Sequence, residues 1–277
     1  MSTQRGAALR GVQVVCLATN LPGPVAAARL VALGASVVKV EPPTGDPLGL
    51  AVPDWYRELV AGQEVLTLDL KDAAGRATLE TRLETADVLL TAMRPSAASR
   101  LGLGESVAHH GLVLVEIVGY DGDRAEEAGH DLTYQAAQGT IVPPVMPLVP
   151  VVDLLGAERA VTAVLVGLRR RDAGESAPHV RVVLDDAATG ASAALRHGLT
   201  GPGGALGGAL PGYGIYATAD GHVAVAALEP HFAQRLAGAV GSTREELTAR
   251  FASEPSAHWE ALARSLDIPI VALRPPG

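Results

Sequence analysis

The sequence predicts an α/β protein: a Rossmann-like parallel sheet with flanking helices, plus a smaller α+β C-terminal domain. Three observations carry that expectation. Short apolar, β-branched runs alternate with helix-like segments through the first half of the chain, the signature of repeated strand–helix–strand units. The strand runs are apolar at successive positions, as expected for strands covered on both faces. Beyond a Gly-rich stretch at 201–214 the pattern changes to two alternating runs around Asp220-Gly221 and then to helical segments, which read as a hairpin followed by helices. The large domain is accordingly expected at 1–200 and the small one at 201–277.

The elements follow in order. "VQVVCLA" (12–18) is the first strand, and "GPVAAARLVALG" (23–34) the helix after it, with Pro24 in its first turn and Gly34 past its end. "ASVVKVEPP" (35–43) is a second strand stopped by two prolines, and "EVLTLDL" (64–70) a third. Asp72 is the expected N-cap of a helix running to about 86. "DVLLTAM" (87–93) and "LVLVEIVGY" (112–120) are the fourth and fifth strands. "TIVPPVMPLVPVVD" (140–153) contains four prolines and reads as an irregular crossing that delivers Asp153 to the start of a long helix. A strand, a turn and a helix follow over 179–199. The Gly-rich stretch after them suits a linker or loop. Helices are expected near 230–240, 244–251 and 256–266, with Ser242 or Thr243 and Ser256 as caps.

The bulk composition excludes several classes. Among 277 residues, 48% are hydrophobic and only 3% aromatic, so the chain can bury a sizeable aliphatic core. The formal net charge of −8 lacks the basic face that a nucleic-acid partner requires. Cys16 is the sole cysteine, which leaves no internal disulfide and no cysteine-based zinc site, and its apolar surroundings suggest a small core residue. No apolar run reaches the roughly 20 residues that span a bilayer, and the polar opening does not read as a signal peptide, so a cytoplasmic setting is expected. After the first strand stands "TNLPGPVA" rather than GxGxxG, so a dinucleotide is not expected.

In such sheets ligands sit beyond the carboxyl ends of the strands, which directs attention to 18–24, 41–46, 92–95 and 119–123. Just past the last of these, "EEAGHDLTYQAAQG" (126–139) sets His130 beside Asp131 at the start of a helical segment. Asp131 stands where a helix cap is expected, and Asp153 and Glu229 also open predicted helices, where a carboxylate is favoured by the helix dipole alone. From the residues alone, capping and chemistry both remain open at these positions. His109, His110, His179, His197 and His258 lie outside any motif and read as surface residues.

The blocks "GVQVVCLATNLPGPVAAARLVALGASVVKVEPPTGD", "LTLDLKDAAGRATLETRLETADVLLTAMRPSAASRLGLG", "GHDLTYQAAQG", "PVVDLLGAERA", "GIYATADGHVAVAALEPHF" and "FASEPSAHWEALARSLDIPIVAL" together resemble the family III CoA-transferase (CaiB/BaiF) superfamily, in the same order and over almost the whole chain. The resemblance implies two possible chemistries. The transferases use an aspartate nucleophile at the position of Asp131, forming an aspartyl-CoA thioester. The α-methylacyl-CoA racemases use the histidine before it and a later aspartate, here His130 and Asp153, with a glutamate matched by Glu229. "GHD" with "LEPHF" tilts the chain to the racemase branch. The resemblance further implies a CoA thioester as substrate, no metal or redox cofactor, a homodimer, and CoA contacts at Arg94, Lys71, Pro42, Leu70 and Met93.

The chemistry gives these residue types a reason. Epimerising the α-carbon of an acyl thioester needs one group to remove a proton and another to return one to the opposite face. Histidine suits either role near neutrality, and a desolvated aspartate can match it. The chain departs from the resemblance in places. The segment before the third strand, "YRELVAGQEVLTL", has Arg57 as its only basic residue, where a cation-rich CoA phosphate site is expected. The loop "GYDGDRAEE" is acidic, and the crossing to Asp153 is shortened. At "IPIVALRPPG" the resemblance leads one to expect a further segment returning to the large domain. These departures admit a carrier-protein thioester as substrate, or a non-catalytic homologue.

Overall fold

The computed structural model describes residues 7–275. It divides into two compact units at Ala191/Ser192, ahead of the boundary expected at 200/201.

The first unit is built on strands β1 (Gln13–Cys16), β2 (Ser36–Glu41), β3 (Glu64–Thr67), β4 (Val88–Thr91), β5 (Val113–Val118) and β6 (His179–Val183). They form one sheet in the order β3-β2-β1-β4-β5-β6, parallel throughout. Every residue of β4 and β5 is buried, the physical reason their sequences are continuously apolar. One face carries α1 (Pro22–Ala32), α8 (Val151–Asp172) and α9 (Leu184–Ala191), packed on Val14, Cys16, Val88, Leu90, Val113 and Val115. The alternate residues Val15, Leu17, Leu89 and Leu114 face the other core with α4 (Ala73–Leu83), α5 (Pro95–Arg100) and α6 (Leu103–His110). The period-2 alternation of side chains across a strand produces this division.

The strand order reverses direction between β1 and β4, so the loops leaving these two strands diverge and open a crevice. This feature positions the site. The remaining helices of the unit are α2 (Pro47–Ala51), α3 (Pro53–Leu59) and α7 (Asp131–Ala137). Helices α2, α3, α5 and α6 were not legible as periodic segments. Three of them start with proline directly after the cap residue, and all are eight residues or shorter.

Of the expected caps, Asp72 holds its position and Ser256 is corrected. Asp72 occupies the N-cap of α4 but its side chain makes no capping bond. Pro255, rather than Ser256, precedes the helix that begins at Ser256. Nor are all the histidines set aside earlier surface residues: the His110 side chain is mostly buried, with Nε2 2.7 Å from Glu80.

The second unit contains α10 (Ala193–Arg196), β7 (Tyr213–Ala217), β8 (His222–Ala226), α11 (Pro230–Ala239), α12 (Arg244–Phe251), α13 (Ser256–Leu266) and β9 (Ile270–Ala272). The hairpin β7–β8 gains β9 as a third antiparallel strand. Its core centres on Tyr216, Phe251 and Trp259, whose rings lie 5.2 and 5.0 Å apart in sequence order. Trp259 Nε1 donates to the Phe251 carbonyl at 2.9 Å, so the one polar atom of the indole is satisfied. Thr243 caps α12 in a reciprocal box with Glu246. The Gly-rich stretch is folded into this unit rather than free: Leu206 N–H donates to Leu199 O at 2.8 Å and Arg244 Nη2 to Gly208 O at 2.6 Å.

Candidate functional site

Two cavities open at the carboxyl ends of the strands of the first unit. The larger, about 570 Å³, is lined by Pro42, Leu70, Lys71 and Met93, together with Arg76 and Arg100. The smaller, about 230 Å³, is lined by Arg94, His130, Tyr134 and Asp153. Thr19, after β1, and Ala92, after β4, line both, so the cavities adjoin at the switch point of the sheet.

The larger cavity supplies the cations that the sequence seemed to lack. Arg57, the only basic residue before β3, is not part of it and pairs with Asp54 on α3. The positive charge comes instead from Arg76 on α4 and Arg100 on α5, with Lys71 between β3 and α4. Cations there, beside the apolar Leu70, Met93 and Leu101, suit a ligand with an anionic group and an apolar body. Sequence reasoning missed both arginines because they sit inside helices, where an exposed basic residue carries no local signal.

A buried ion pair shapes the wall of this region. Lys39 is fully buried and donates to Asp46 Oδ2 at 2.8 Å and to the Ala18 carbonyl at 3.1 Å. Asp46 in turn accepts from the Asn20 and Leu48 amides at 3.1 and 3.0 Å. The pair therefore ties the loop after β1 to the loop after β2. Asn20 is held at φ 64, a left-handed conformation that asparagine tolerates better than most residues. Glu41, at the end of β2, bonds to Tyr56, and its pKa is raised by burial, with Lys39 opposing and Asp46 adding to the rise.

In the smaller cavity, His130 is the N-cap of α7 in extended backbone. The Thr133 hydroxyl accepts from the His130 N–H at 3.0 Å and donates to its carbonyl at 2.8 Å. These bonds fix the backbone of His130, and its residue remains exposed.

Asp131 occupies the first turn of α7 but caps a different helix from the one expected. Its Oδ1 accepts from the Val152 and Asp153 amides at 2.8 and 3.2 Å, and its Oδ2 from Gln135 Nε2 at 2.6 Å. It thus satisfies two orphan N–H groups in the first turn of α8. Gln135 also donates to the Val149 carbonyl at 3.2 Å, pinning the proline-rich crossing where it enters α8.

Asp153 is held in that same first turn, half-buried beside the cavity. Its pKa is pushed up to about 6, first by burial and then by the Asp131 carboxylate, while His130 acts in the opposite direction. His130 and Asp153 are therefore near enough to interact, and both reach one cavity. Arg94, the N-cap residue of α5, lines this cavity rather than the larger one. Glu229 is the N-cap residue of α11, in the second unit, without a side-chain capping bond. No cluster of metal-ligating side chains occurs among the described residues, and no described helix is long and apolar enough to cross a membrane.

Comparison with known proteins identifies relatives of both chemistries. The family model for CoA-transferase family III matches residues 9–274. The chain is 31% identical to α-methylacyl-CoA racemase of Mus musculus, over 92% of this chain and 70% of the racemase. It is 29% identical to succinyl-CoA–D-citramalate CoA-transferase of Chloroflexus aurantiacus, over 62% of this chain and 48% of that enzyme. With the probable fatty acyl-CoA transferase Rv3272 of Mycobacterium tuberculosis it shares 28% identity over 67% of this chain and 52% of the relative. The chain thus spans about half the length of these two transferases. The crystal structure of Rv3272 shares the fold with a TM-score of 0.81 at 24% identity, covering 96% of this chain and 85% of that one. A CaiB/BaiF family protein from Brucella suis gives 0.79 at 22% identity, covering 96% and 84%. With the family model matched across nearly its whole length, the chain belongs to CoA-transferase family III.

Proposed function

We propose that this protein is an α-methylacyl-CoA racemase-like epimerase, moving the α-proton of a 2-substituted acyl thioester between the two faces of the α-carbon. One observation carries the reading: His130 and Asp153 line one cavity, and the Asp153 carboxyl is poised at about 6. A carboxyl near that value exists in both protonation states around neutrality, as a two-way acid–base group must. In one direction neutral His130 removes the proton and protonated Asp153 returns one. In the other, ionised Asp153 is the base and protonated His130 the acid. The thioester tail would run into the adjoining larger cavity, its phosphates near Lys71, Arg76 and Arg100 and its apolar arm along Pro42, Leu70 and Met93. Arg94, in the smaller cavity, is suited to a phosphate or carbonyl oxygen of the same substrate. The acid–base pair does this chemistry without a metal or redox group.

The alternative is CoA transfer through Asp131, in keeping with the transferases among the relatives. That chemistry needs a free carboxylate nucleophile. Both Asp131 oxygens are engaged, in bonds to two backbone amides and one side-chain amide, which favours a structural role for Asp131 and the racemase reading.

The test is incubation with a 2-methylacyl-CoA in D₂O, following α-deuterium incorporation by mass spectrometry. Incorporation that is lost in His130→Ala and in Asp153→Asn supports epimerisation. Absence of incorporation, with a trapped Asp131–CoA thioester, supports transfer.

A further inference from the structure

Removing an α-proton breaks the C–H bond and sends its electron pair into the adjoining carbonyl, so negative charge collects on the thioester oxygen. A preorganised donor aimed at that oxygen is the expected device for lowering the barrier. The amides opening α8 cannot serve, since those of Val152 and Asp153 are already taken by Asp131. We propose that the Tyr134 hydroxyl is one such donor, a catalytic residue of the smaller cavity. The inference rests on the proton-transfer reading above and names one more group in the same site.

Tyr134 follows His130 by one turn of α7, its N–H donating to the His130 carbonyl at 3.2 Å. It is only 1% exposed, yet it lines the cavity with His130 and Asp153. Its ring meets Tyr120 edge-on at 5.3 Å. The phenol passes between Gly119, just beyond β5, and Gly129: a Cβ at either would lie 2.5 or 2.4 Å from the hydroxyl oxygen. No side chain fits at those positions while the phenol keeps its place. The glycine of the Gly-His-Asp motif thus makes room for the tyrosine three residues after Asp131.

The hydroxyl makes no hydrogen bond to a described residue. A sealed, unpaired hydroxyl would be costly, but the only fully enclosed side-chain polar atom lacking a partner among the described residues is Gln63 Oε1. The Tyr134 hydroxyl therefore reaches the cavity, where a ligand oxygen can accept from it. Burial, aided by Tyr120, Asp153 and Asp185, pushes its pKa up to about 12. The phenol stays protonated across the working range and acts as a donor, not a base. In the reaction its proton stays on the phenol. The α-proton goes to His130 or Asp153, and the enolate collapses as the opposite acid supplies a proton to carbon.

The experiment compares the full chain with Tyr134→Phe in the D₂O exchange assay. Phenylalanine keeps the ring and removes a hydroxyl that bonds to no described residue, so the unfolding midpoint is expected to be unchanged or higher. The expected result is a fall in kcat for deuterium incorporation of about 10²–10³-fold, with calorimetric binding of CoA unchanged. A second probe is acetoacetyl-CoA, whose enolate absorbs in the near ultraviolet. The wild type should enrich the bound enolate at neutral pH, and Tyr134→Phe should not. If the wild type exchanges and the variant matches it within about threefold on the same scale, or if the enolate band is equal in both, Tyr134 is not the donor and the proton-transfer reading survives. If the wild type itself exchanges none of several thioesters, the reading fails and this inference with it.

Discussion

Asp153 offers the most direct test of the electrostatics. Its carboxyl, ordinarily at 3.8, stands at about 6 in the folded protein. A folded-state pKa above the unfolded value means that the folded state binds the proton more tightly. The favourable contribution is fully present below about 3.8 and is lost as pH rises through about 6. Above that, ionised Asp153 costs stability: a shift of about 2 units corresponds to about 3 kcal/mol. Asparagine carries no charge at any pH and escapes this cost. Asp153→Asn is therefore expected to be more stable than wild type by about 3 kcal/mol at pH 8, by roughly half of that at pH 5 and by little at pH 4. Urea unfolding of both proteins at pH 5 and pH 8 measures the difference. The same variant should lose about 10²–10⁴-fold in proton exchange, the pairing of gained stability and lost activity expected of a group held for function. A stability difference that is the same at both pH values, or a variant less stable at pH 8, would refute the reasoning, because Asp153 would then be an ordinary carboxylate.

Three further outcomes follow from neighbouring contacts. Asp131→Ala strands two backbone amides at the start of α8 and should cost about 2–4 kcal/mol in urea unfolding; it also removes a negative neighbour, so the acid limb of the exchange rate, set by Asp153, should move to lower pH. Lys39→Met leaves Asp46 buried without its cation and should cost about 3–5 kcal/mol, with Lys39→Met/Asp46→Leu recovering part of the loss in the same assay. Arg76→Gln and Arg100→Gln should each weaken binding of a CoA thioester by roughly 10- to 100-fold with little change in kcat, on the scale of a lost charge-assisted bond, and isothermal titration should show these losses shrinking as salt rises.

The fold was legible where burial imposes a pattern. Val88–Thr91 and Val113–Val118 are buried on both faces, and their unbroken apolar runs announce that directly. The β7–β8 hairpin was legible from alternation and Asp220-Gly221. Strand β9 was not, since three residues cannot display a period, and its pairing with β8 comes from chain distant in sequence. Helices α2, α3 and α5 were missed because proline starts read as chain breaks when too few residues follow. Within the site, His130 and Asp153 could be named from motifs, and the four candidates Pro42, Leu70, Lys71 and Met93 share one cavity. Arg76, Arg100 and Tyr134 could not be found the same way. Their relevance arises from the crossing of separate elements at the sheet's switch point, and nothing adjacent in the chain marks it.

Asp131 explains why two acidic residues far apart in the chain behave as one device. By accepting from the Val152 and Asp153 amides it fixes where α8 begins, and so fixes where the Asp153 side chain emerges. From that same position its negative charge resists ionisation of Asp153. A single carboxylate thus sets both the position and the proton affinity of its partner. If Asp131 instead had to swing out as a nucleophile, it would release the first turn of α8 and lower the pKa of Asp153 in the same movement. Transfer chemistry at Asp131 and proton transfer at Asp153 are therefore opposed in this arrangement.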